Sequence, residues 1–123
     1  MNSRGGVLEG VNVVDMQFID NGRSLRLELI ESVPPYAKNW LTFKNTYSIR
    51  LLQNAGDGFP LIVIDLIWKD LPAREVNQAL SGHSAFDGSG NSIAMTLPLV
   101  IAHLQGDLSG DVIAEAVVLA ASR

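Results

Sequence analysis

The residues of this chain that could do chemistry are few and scattered. There are two histidines, His83 and His103, and no cysteine. Without cysteine there is no thiolate catalysis, no disulfide and no Cys-ligated zinc or iron–sulfur site. A zinc site would need both histidines and a carboxylate, yet the histidines fall in separate segments. His103 follows Val100, Ile101 and Ala102 and reads as a half-buried strand residue. His83 follows the end of an expected helix, where a partly charged imidazole favours the dipole. The run Asp87-Gly88-Ser89-Gly90-Asn91 imitates the opening of a calcium loop. It then places Ser92 where the loop needs glycine and Pro98 where it needs a bidentate glutamate. Asp107 and Asp111 bracket a turn and could bring two carboxylates together, but a solvated turn is the simpler reading. Phosphate-binding and dinucleotide-binding glycine patterns are missing, and so is the Gly-x-Ser-x-Gly of a nucleophile elbow. No catalytic, metal or cofactor-binding residue is therefore expected, and no cofactor.

Three residues stand out for other reasons. Asp65 is the one charge in the otherwise apolar run 60–68. If that strand is covered on both faces, Asp65 is a buried charge that must be paired or protonated, with Arg50 or Lys69 as the expected partner. Tyr36 and Trp40 neighbour a proline loop and are the candidate interaction residues. Aromatic side chains serve interfaces well, although in a domain with few of them they more often complete a core.

The elements that must position these residues are mostly strands. Alternation over 11–19 and 24–30, broken by Asp20-Asn21-Gly22-Arg23, predicts an antiparallel hairpin. Its leucine face (Leu25, Leu27, Leu29) should be buried and its Arg26/Glu28 face wet. Pro34-Pro35 ends that hairpin. Short strands are expected at 40–43 and 47–52, and a central strand covered on both faces at 60–68. Asp70 and Pro72 open a short helix that Gly82 ends. The run 93–104 is extended, but Pro98 marks an edge, a bulge or a break inside it. The segment 111–121 mixes β-branched residues with helix formers and is read as a strand.

Together these predict a mainly β fold: an antiparallel sandwich or partly open barrel of seven to eight strands, with one short helix near 72–81. Residues 1–10, with three glycines, are expected to be a flexible N-terminal segment preceding a single β-rich domain over 11–123.

Composition bounds the function. The chain has 123 residues, 47% hydrophobic and 18% charged, enough to bury a core as one domain. Its net charge of −4 and its nine scattered basic residues form no basic patch, so neither nucleic acid nor an anionic membrane is an expected partner. The start has no apolar stretch of signal-peptide type, and the apolar runs are too short to span a bilayer as helices, so a cytoplasmic protein is expected.

Three features recur together: the hairpin around Asn21-Gly22, the segment Leu41-Thr42-Phe43-Lys44-Asn45 leading into 47–50, and the Gly106-Asp107 turn before Val112-Ile113-Ala114. This layout resembles small uncharacterised bacterial all-β domains, some of them grouped with immunity proteins of toxin systems. The resemblance implies a binding protein and brings no functional residue with it. The expected function is a non-enzymatic protein-binding domain, in the immunity setting an inhibitor of a bacterial toxin. The alternative is a barrel or sandwich whose apolar interior holds a small molecule. The expected partners are a basic protein and, because the residues around Pro98 are uncharged, a second copy of the chain.

Overall fold

A computed structural model describes residues 2–3, 5–53, 58, 60–72, 75 and 99–121. They form seven strands: β1 (Asn2–Ser3), β2 (Gly6–Ile19), β3 (Ser24–Glu31), β4 (Lys38–Gln53), β5 (Leu61–Leu71), β6 (Leu99–Gly106) and β7 (Leu108–Ala121). All pairings are antiparallel. The order is β1-β7-β4-β3-β2-β5-β6, and a further β6–β7 ladder closes the six long strands into a ring.

The predicted hairpin is present. β2 and β3 pair from Ile19↔Ser24 back to Val11↔Glu31. Asp20, Asn21 and Gly22 all take positive φ, and the Gly22 N–H donates to the Ile19 carbonyl at 3.1 Å. Leu25, Leu27 and Leu29 are buried. The segment read as a strand over 111–121 is β7.

Three expectations need correction. Residues 40–43 and 47–52 are not two strands. They belong to the single 16-residue strand β4, which bends at a register shift between Thr46 and Ser48. A bulge lets one strand turn a corner without ending, and this merger lowers the number of full strands among the described residues to six, not the expected seven to eight. The described residues of the 1–10 segment, 2–3 and 5–10, do not run loose either. β2 starts at Gly6 and its first half pairs with β5, from Gly6↔Trp68 to Val13↔Leu61, while Asn2 and Ser3 pair with β7. The ladder to β5 and Leu8, which packs against the core, outweigh the glycines there. Finally, among the described residues, 60–68 are covered on one face only.

The short helix expected near 72–81 lies outside the described residues, apart from a turn in which the Glu75 N–H donates to Pro72 O at 2.8 Å. His83, the calcium-like run from Asp87 and the break at Pro98 also lie outside them. The strand after that proline, β6, has ladder partners on both sides, β5 and β7. It offers no free edge over the described residues.

One large cluster fills the ring, with Leu25, Leu27, Leu41, Phe43, Val63 and Leu66 among its most deeply buried members. A second, smaller cluster of Leu71, Leu99 and Ile113, with Tyr47 and Ile101 against it, lies on the opposite face by strand alternation. No helix among the described residues is long and apolar enough to cross a membrane.

Candidate functional site

Directly opposed residues on neighbouring strands point to the same side of a sheet. Following such pairs from strand to strand gives a row across the outer face: Val7 opposes Ile67, Ile67 opposes His103, His103 opposes Asp111, and Asp111 opposes Arg50. A second row runs beside it: Glu9, Asp65, Gln105. The two rows place an apolar patch next to a polar one.

The polar part centres on His103, whose Nδ1 is in contact with Asp111 Oδ1. Both are partly exposed and line a shallow depression of about 320 Å³ with Asp65, Ile67, Leu104, Gln105 and Gly110. A carboxylate on Nδ1 orients an imidazole and leaves Nε2 to act on something else. However, among the described residues no hydroxyl or thiol nucleophile lines this depression. Among the described residues no group of three potential ligands could hold a metal. The pair can therefore orient or hydrogen-bond a partner, but the described residues do not assemble the full set for acyl transfer or metal-assisted hydrolysis.

The Gly106-Asp107 turn held a signal that could have found this pair. Residues 103 and 111 are equidistant from Asp107, so a tight hairpin there brings them together. Asp107 itself takes another role. Its carboxylate accepts from the Ile62 N–H at 3.2 Å, and its own N–H donates to the Ile62 carbonyl at 2.7 Å. The two carboxylates of this turn thus serve different strands.

Asp65 is not the buried, paired charge that was expected. It lies half-buried on the outer face, with Gln105 and the exposed Glu9 as its cross-strand neighbours, and neither Arg50 nor Lys69 pairs with it. The reason is the face of β5 it occupies. Ile62, Ile64 and Ile67 are 51%, 59% and 41% exposed, and Val7 beside Ile67 is 55% exposed. An apolar run normally signals a strand buried on both sides; here one side faces out.

Tyr36 and Trp40 are not brought together. Tyr36 is exposed in the β3–β4 connection, where its N–H donates to Val33 O at 2.9 Å. Trp40 is half-buried on β4, with the Arg26 guanidinium 4.3 Å from its ring centroid. That cation–π contact, extended by the 2.6 Å bond from Arg26 Nη2 to Gln17 Oε1, covers the indole within the chain.

A third arrangement sits at the β4 bend. Tyr47 OH donates to Glu115 Oε1 at 3.2 Å, and Asn45 Nδ2 donates to Glu115 Oε2 at 2.8 Å. Burial, with the Glu115 charge and hydrogen bond adding to it, raises the Tyr47 phenol above its ordinary value of 10.0. This group ties β4 to β7 where the strand changes direction.

No family model matches the chain, and no curated protein matches it. Among solved structures it is similar to an uncharacterized protein from Neisseria gonorrhoeae, at 13% sequence identity and a TM-score of 0.57. The match covers 95% of this chain and 97% of that one. At this identity the likeness concerns the fold.

Proposed function

We propose that this chain is a non-enzymatic protein-binding domain, a partly open barrel whose contact surface is the outer face of β5 with its β2 and β6 neighbours. The observation that carries this reading is the exposed stripe Ile62, Ile64 and Ile67 on a strand whose other face is core, widened by the exposed Val7 of β2 opposite Ile67. Contiguous apolar side chains on an outer face mark interaction sites more often than isolated ones do. The interior is filled by its own side chains, Phe43 and the core leucines and valines, which weighs against an interior small-molecule site. The resemblance to immunity-type domains gives the binding a setting, the neutralising of a toxin. The net charge of −4 favours a basic partner through long-range steering.

The test compares the unaltered chain with an Ile64→Asp/Ile67→Asp variant. Each is examined by sedimentation alone and after mixing with the purified product of the adjoining gene. The reading stands if the unaltered chain associates, with itself or with that product, and the variant does not. It fails if the unaltered chain stays monomeric and the product does not bind.

A further inference from the structure

Taking the β5 face as the protein-binding surface, we propose that its partner is a second copy of this chain, related by a two-fold axis that crosses β5 at Ile67. The face carries its charges in a telling order. Its outer side presents Asp65, Ile67 and Lys69, which are acidic, apolar and basic at every second residue. Asp65 and Lys69 are about 13 Å apart along an extended strand, too far to pair with each other. Neither forms an ion pair within the chain among the described residues. Across the ladder Asp65 meets the like charge of Glu9, an unfavourable cross-strand neighbour.

A two-fold axis in the contact plane, running across the strands through Ile67, lays the two β5 strands face to face and antiparallel. Residues equally far from Ile67 on either side then oppose each other. Asp65 of each copy meets Lys69 of the other, twice over, and Ile67 meets Ile67. Val7, opposite Ile67 in the β2–β5 ladder, meets its own counterpart and widens the apolar centre. Symmetric dimers need a patch that is complementary to itself under the symmetry operation. The order acidic, apolar, basic meets that condition about this axis; like charges on both sides of Ile67 would not. One contact thereby covers the exposed isoleucine stripe and gives both unpaired charges a partner. Two sheet faces packed at about 10 Å fit the geometry of aligned sheets.

The experiment is sedimentation and light scattering of the full chain at micromolar concentrations, with four variants. The unaltered chain should sediment at twice its 13.3 kDa mass. Asp65→Lys and Lys69→Asp, each alone, place like charges in opposition and should weaken the dimer by about tenfold or more. The double variant Asp65→Lys/Lys69→Asp restores the opposite pairs and should restore the dimer. Ile67→Asp should abolish it. Circular dichroism melting checks that each variant folds, and the charge exchange remains decisive if Ile67→Asp does not. A monomeric unaltered chain overturns the proposal, and so does a double variant that stays as weak as the singles. If the chain is monomeric yet binds the adjoining gene's product through Ile64 and Ile67, the second copy is ruled out as partner while the protein-binding reading survives.

Discussion

At the residue scale, burial separates neighbours on one strand into opposite roles. Val63 is fully buried while Ile62 and Ile64 on either side are exposed. Ile64→Asp should leave the stability of the monomer within about 0.5 kcal/mol, because surface changes away from special features cost little. Val63→Asp places a charge in the core and should prevent folding. Urea denaturation of the two variants, side by side, checks the alternation directly. Tyr47 offers a second test. Its phenol is raised above 10.0 by burial and by Glu115, so the folded state favours the neutral form. The stability this supplies is fully present below pH 10 and is lost as pH rises through the folded-state value. In a Tyr36→Phe background, phenolate absorbance should show the single remaining tyrosine ionising above 10.0, and Glu115→Gln should bring it back towards 10.0.

At the element scale, the long strands β2 and β4 hold the ring together by changing partners along their length. β2 pairs with β5 through its first half and with β3 through its second, and the register shifts between Val13 and Asp15. β4 pairs with β3 over residues 38–43 and with β7 from Asn39 to Gln53, with its own shift at the Tyr47 bend. Such bends are the way strands turn the corners of closed sheets. The β4–β7 ladder also depends on a glycine. Gly110 has φ of +134°, and a Cβ there would lie 1.8 Å from the Arg50 carbonyl oxygen. That backbone atom cannot swing away as a side chain could. Gly110→Ala should therefore destabilise the fold by about 3 kcal/mol or more, through steric strain and an unfavourable φ. Thermal melting measures this, and a wild-type midpoint would contradict the assigned register.

At the scale of the whole molecule, one filled ring supplies the stability. Phe43 and Leu27 are both fully buried in its core. Phe43→Ala should cost about 3–5 kcal/mol and Leu27→Ala about 2–5 kcal/mol, because the closed ring cannot collapse around the void. Folding should not depend on a metal. Cysteine is lacking and no ligand cluster occurs among the described residues. A chelator should leave the melting temperature unchanged, and a fall of several degrees would require a site that is not described here.

Local patterning alone determined the β class, the hairpin at Asn21-Gly22, its buried leucine face and the extended state of 111–121. These depend on alternation and turn chemistry, which act between near neighbours. Tertiary structure decided the rest. Whether 40–43 and 47–52 were one strand or two depended on β7, a partner some seventy residues away. That residues 6–10 form a strand depended on β5. The His103–Asp111 pair was within reach of the sequence through the register of the Gly106-Asp107 turn. The exposed face of β5 was not, because a mostly apolar run looks the same whether its second face meets a covering layer, another chain or water. Asp65 was legible as a charge out of place, but the sequence could not say which face carried it. Periodicity fixes which residues share a side of a strand; the closing of the ring fixes which side points inward.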